Sequence, residues 1–177
     1  MNPLVISCSL NPQSRSRTLA KAAASHLAAK GHAPEFIDIA PLGLPACDGG
    51  AAYTHPAVAP LAGKIAASPG VLLAFPIYNY DAGAAAKNLI ELTGKAWTGK
   101  VVGLLAAAGG PNAFMGPLGI ANSLMLDFRC LVLPRYVYAG GGEGVSASAI
   151  TDPEITRRVE ELAGEFLRVA LALSRPA

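Results

Sequence analysis

Apolar strand-like runs alternate with amphipathic helical stretches along the whole of this chain, and that alternation leaves few architectures open. Leu4–Ser7 is apolar on both faces, Glu35–Ile39 alternates, and Gly70–Pro76 is a continuous apolar run. Lys100–Ala107 and Leu131–Tyr138 complete a set of five predicted strands. Helices are predicted at about 17–30, 56–67, 83–94 and 114–127, with a last one opening at Thr151-Asp152-Pro153-Glu154. Leu19, Ala23 and Leu27 mark the buried stripe of the first helix, and Gly31 stops it. The Thr151–Glu154 segment reads as a capping box with proline in the first turn. Such alternation demands a parallel sheet covered by helices on both faces. For five strands the expected form is doubly wound, in the order 2-1-3-4-5. No linker or repeat divides residues 1–177, which read as one domain.

Composition narrows the function classes. Hydrophobic residues make up 52% and charged residues 15%, too apolar a balance for a disordered chain. The net charge of +2 is scattered, without a Lys/Arg run, so nucleic acid is not an expected partner. Cys8, Cys47 and Cys130 have no metal-like spacing and suit a reducing cytoplasm. His26, His32 and His55 show none either, so no metal site is expected. No signal-peptide pattern and no apolar run of ~18 residues is present, so neither export nor a membrane span is expected.

In a doubly wound sheet, ligands sit beyond the carboxyl ends of the strands where the order reverses. Three predicted loops meet there. The first, 8–18, carries Ser9, Ser14, Ser16 and Thr18 with Arg15 and Arg17, directly before a helix. Hydroxyls, a helix N-terminus and a guanidinium from Arg15 or Arg17 form a cradle for one phosphate. The alternative is that Ser14 or Ser16 only caps the helix and the arginines are solvated. The loop is neither a Walker A motif nor a GxGxxG turn, so a monophosphate fits better than a pyrophosphate. The second loop, Phe75-Pro76-Ile77-Tyr78-Asn79-Tyr80-Asp81-Ala82-Gly83, sets aromatic rings beside an amide and suits a planar heteroaromatic ligand. The third, Ala106–Asn112 with Gly109 and Gly110, lets backbone approach a ligand closely. By themselves the second could be a surface turn and the third a plain Gly-Gly turn.

Three motifs together resemble the NAD(P)H-dependent FMN reductases of the flavodoxin-like fold. They are Ser9–Thr18 with its Ser-Arg-Ser core, Phe75–Asn79 followed by Gly83 and Lys87-Asn88, and Gly99–Val102 leading to Gly109-Gly110. The likeness extends to the reductases that supply reduced flavin to two-component monooxygenases such as the alkanesulfonate system. It implies FMN bound with its phosphate on Ser9, Ser14, Arg15, Ser16 and Thr18. Its isoalloxazine would meet Pro76, Ile77, Tyr78 and Asn79, with Gly109 and Gly110 near the pyrimidine edge. NADPH or NADH would be the co-substrate, giving a hydride to flavin N5, and the flavin itself carries that chemistry without a catalytic side chain. Reduced flavin would be passed on or would reduce a second acceptor. A homodimer or homotetramer, and a flavin-dependent monooxygenase as partner, also follow from the resemblance. Cys8 stands where the family usually has glycine and Asn11 where many members have arginine, with Arg15 the candidate to take over that charge.

Three other classes stand beside this expectation. An NAD(P)H quinone or azo-dye reductase on the same scaffold differs only in its second substrate. A flavodoxin-type electron carrier is typically acidic, whereas the pI here is about 8.5. A flavin-free α/β module would bind some other phosphorylated ligand.

Overall fold

The computed structural model describes residues 2–174. Its strands are β1 (Leu4–Ser7), β2 (Glu35–Asp38), β3 (Gly70–Tyr78), β4 (Asp81–Ala82), β5 (Val101–Ala108), β6 (Leu131–Val132) and β7 (Val137–Ala139). The helices are α1 (Arg15–Ala29), α2 (Val58–Ala67), α3 (Ala84–Thr93), α4 (Leu118–Phe128) and α5 (Pro153–Leu173). The sheet runs β2-β1-β3-β5, with β6 and β7 sharing the outer position beside β5. Every pairing is parallel except the β3–β4 hairpin. With β6 and β7 taken as one position, this is the doubly wound order expected.

The single strand expected over Leu131–Tyr138 is instead broken in two. Leu133 still donates to the Val102 carbonyl at 2.8 Å, but Pro134 has no N–H for the next bond and the chain leaves the ladder. β3, by contrast, runs past Pro76 to Tyr78. Ala74, two residues earlier and so facing the same neighbour, accepts the last bond from the β1 side, from the Cys8 N–H at 2.7 Å. Pro76 therefore lacks its donor only where β1 has already ended.

Strict alternation on the inner strands fills two apolar layers. Leu4, Ile6, Leu73 and Phe75 pack with Leu61, Ile65, Leu89, Ile90 and Leu124 from α2, α3 and α4. Val5, Leu72 and Leu105 pack with Leu19, Leu27, Val159, Leu162 and Phe166 from α1 and α5. Trp97 is fully buried in the first layer, its indole N–H on Thr93 Oγ1 at 2.7 Å.

Several helix starts differ from expectation; α2, for one, begins two residues late, at Val58. α1 begins two residues early because Ser14 Oγ accepts the Arg17 N–H at 3.1 Å and caps it. α4 begins at Leu118, after Pro117, and leaves Phe114 and Met115 in turns. The cap of α5 is Asp152, not Thr151: its carboxylate accepts the Glu154 N–H at 2.8 Å, while the Glu154 side chain pairs with Arg157.

Candidate functional site

Where β1 ends, β3 and β5 continue, and the loops after these three strands enclose a cleft of about 670 Å³, within the usual range for a small-molecule site. Ser9, Asn11, Gln13, Ser14, Arg15 and Ser16 line one end, Pro76–Tyr80 a second wall, and Ala107–Ala113 a third.

The first end is a set of donors around the start of α1. Ser14 and Ser16 hydroxyls lie 3.0 Å apart, and the first N–H groups of the helix have no acceptor within it. Ser9 Oγ accepts the Asn11 N–H at 3.3 Å and Asn11 Oδ1 accepts the Gln13 N–H at 2.9 Å, which curls the loop over the helix start. Arg15 reaches across, Nη2 donating to the Ala108 carbonyl at 2.9 Å. No acceptor among the described residues meets its Nε or Nη1.

Arg17 and Thr18, expected to contact the ligand, do not line the cleft. Arg17 turns back instead: Nε donates to Asp38 Oδ2 at 2.6 Å, Nη1 to the Asn11 carbonyl at 2.9 Å, and Nη2 to the Ser9 carbonyl at 3.0 Å. It staples the loop to the end of β2. Thr18 Oγ1 donates to the Ser146 carbonyl at 2.9 Å and ties α1 to the glycine-rich segment after β7. Cys8 lies beneath the loop, fully buried. Burial first, and the Asp38 charge second, push its thiol far above the ordinary range.

The second wall is the β3–β4 hairpin. Tyr78 pairs with Asp81 across a two-residue turn whose residues, Asn79 and Tyr80, both adopt left-handed backbone at φ 50° and 64°. That is the pattern of a type I′ turn, which suits Asn but strains Tyr. The hairpin pairing holds this strained turn and sets two largely exposed tyrosine rings, Tyr78 and Tyr80, at the mouth. The third wall is bare backbone: a Cβ built on Gly109 or Gly110 meets nothing within 4 Å, and their N–H groups have no acceptor among the described residues.

The sequence reading passed over residues behind this wall. Tyr138 donates to the Gly110 carbonyl and accepts from the Ala113 N–H, and Tyr136 donates to the Phe114 carbonyl. The signal was a Tyr-Val-Tyr triplet, two rings on one face of a strand end. Asn11, Gln13, Tyr80 and Asn112 also line the cleft, as neighbours of residues already singled out. Among the described residues no group of three or more His, Cys, Asp or Glu is placed to hold a metal.

A parallel sheet that reverses its order at β1 and β3, with a helix start at one end of the cleft, open glycine backbone at the other and an arginine spanning between them, defines a flavodoxin-like mononucleotide-binding protein. Residues 1–144 match the family described as NADPH-dependent FMN reductase, and the chain belongs to that family. It is an NAD(P)H-dependent flavin oxidoreductase that works with FMN. No curated protein matches this sequence. Among solved structures, an NADH:FMN oxidoreductase, EmoB, in its apo form is 17% identical, with TM-score 0.78 over 99% of this chain and 91% of that one. An oxidoreductase from Corynebacterium diphtheriae is 19% identical, with TM-score 0.77 over 97% of this chain and 98% of that one. The flavoenzyme NAD(P)H:(acceptor) oxidoreductase FerB from Paracoccus denitrificans is 20% identical, with TM-score 0.76 over 97% of both chains. At these identities the likeness is one of fold.

Proposed function

We propose that the cleft holds FMN with its phosphate at the start of α1, on Ser9, Ser14, Ser16 and Arg15. Its ring would lie against Pro76, Ile77, Tyr78 and Asn79, its pyrimidine edge facing Gly109 and Gly110. The observation that carries this reading is the donor lining of one cleft: hydroxyls at the start of α1, an arginine that spans from there to Ala108, and unpaired backbone donors at Gly109 and Gly110. The donor set and volume fit a mononucleotide with a flat base.

When bound, FMN would supply the hydride-accepting centre between a nicotinamide nucleotide and a second acceptor. The chain's own residues bind and orient. Arg15 and the positive end of α1 neutralise the phosphate. Arg17 keeps the loop curled so that these donors converge. Gly109 and Gly110 offer N–H groups where negative charge develops on reduction. Pro76 and the Asn79-Tyr80 turn fix the platform, and Tyr78 and Tyr80 flank the entry for a second planar molecule. No side chain is assigned as catalytic acid or base.

That open, tyrosine-flanked mouth also favours a second reading, in which a quinone or azo dye accepts the electrons. Rates with FMN, quinones and azo dyes at fixed reduced nicotinamide separate the two. We further propose that residues 1–177 act as one flavin-binding domain and as a homodimer or homotetramer. A cytoplasmic location and a flavin-dependent monooxygenase as recipient of reduced flavin complete the reading. Among the described residues no helix is long and apolar enough to cross a membrane.

Titration by flavin absorbance and fluorescence tests the site. Arg15→Ala is expected to weaken FMN by about 1.5–3 kcal/mol and leave riboflavin, which has no phosphate, unchanged. Equal affinity of parent and variant for FMN would move the phosphate elsewhere.

A further inference from the structure

Tyr138 lies outside the cleft, yet it fixes one of its walls. Its hydroxyl donates to the Gly110 carbonyl at 2.6 Å and accepts from the Ala113 N–H at 3.1 Å. One group thus closes both ends of the turn Gly110-Pro111-Asn112-Ala113. No other side chain bonds the backbone of Gly109–Ala113 among the described residues. The glycine-rich segment behind it makes room for the ring. A Cβ on Gly140 would stand 2.5 Å from Tyr138 Cε1 and 2.8 Å from the Gly110 carbonyl oxygen. Gly140 is not in the left-handed region, so it supplies space rather than backbone freedom. The turn held this way presents the Gly109 and Gly110 N–H groups, which have no partner of their own.

We propose that Tyr138 is a positioning residue that orients the Gly109–Gly110 donors toward the ring of the bound flavin. It therefore governs both ring affinity and the preference for the reduced form. The proposal rests on the reading that FMN occupies the cleft. Donors fixed beforehand favour the form carrying more negative charge, because they need no reorganisation when it appears. Freed from the hydroxyl, the same backbone samples orientations in which those N–H groups miss the ring.

The test compares Tyr138→Phe, Tyr136→Phe and Gly140→Ala with the parent in titrations of FMN and of riboflavin, and in the midpoint potential of the bound flavin. Tyr138→Phe is expected to raise Kd for both flavins by the same factor, about 3- to 10-fold, and to shift the potential negative. Gly140→Ala, which keeps the hydroxyl but displaces the ring, is expected to act in the same direction. Tyr136→Phe loses a hydroxyl from the same strand end, one that holds Phe114 outside the cleft, and is expected to change Kd less than about 2-fold. Equal weakening by Tyr136→Phe would mean general loosening of the strand and would overturn the proposal. So would unchanged affinity and potential in Tyr138→Phe, and so would weakening by that variant of FMN alone. A parent that binds neither flavin would remove the functional reading itself, and this proposal with it.

Discussion

Arg15 and Arg17 stand two positions apart on one helix and do unlike work. Residues so spaced point in different directions, so one crosses the cleft to Ala108 and the other returns to Asp38. The sequence offered both as phosphate ligands because nothing local tells them apart. The deciding partner, Asp38, is remote in sequence and becomes a neighbour only when β2 pairs with β1. Thr18 turns from the cleft for the same reason, its acceptor lying 128 positions away. Cys8 was legible as a packed residue, since it follows directly on an apolar strand. Burial also pushes the Cys130 thiol up, to about 11. Both buried thiols thus stay protonated where thiols of the unfolded chain ionise. Their contribution to stability is full below about pH 9 and declines as pH rises toward their folded values. In alkylation at about pH 8, the half-buried Cys47 is expected to react while Cys8 and Cys130 react only on unfolding. Mass spectrometry of the labelled peptides checks this, and rapid native labelling of Cys8 would contradict it.

At the scale of elements, the β3–β4 hairpin shows local preference giving way to a site. Asn79 suits its left-handed position, but Tyr80 does not, and glycine is the residue that turn favours. Tyr80→Gly is therefore expected to stabilise the protein by about 0.5–1 kcal/mol in denaturant melts while raising KM for the nicotinamide nucleotide. A stabilised variant with unchanged KM would remove Tyr80 from the entry; no gain in stability would remove the strain. The apolar run of β3 was readable, but its passage through Pro76 was not, because that depends on where the neighbouring strand stops. The break at Pro134 could have been read: a proline inside an otherwise apolar run marks an edge position or no strand at all.

For the whole molecule, order and layering followed from the alternation of elements, since few topologies cover both faces of a parallel sheet. What alternation does not tell is which exposed face remains apolar. Phe114 and Met115, together with Leu118, Met125 and Leu126 of α4, are exposed. The helical three share one face at spacings of seven and eight. Such a group on a surface marks a contact, and it is the face on which the proposed homodimer or homotetramer would meet. Leu126→Asp is expected to shift the assembly toward monomer in light scattering at fixed concentration; an unchanged mass would place the contact elsewhere. The outermost strand carries a different consequence for how copies meet. Cut at Pro134 into pieces of two and three residues, it presents no continuous rim of free peptide groups. On this side of the sheet, neighbouring molecules can therefore associate through side chains without fusing their strands, and the opposite edge, β2, offers only four residues.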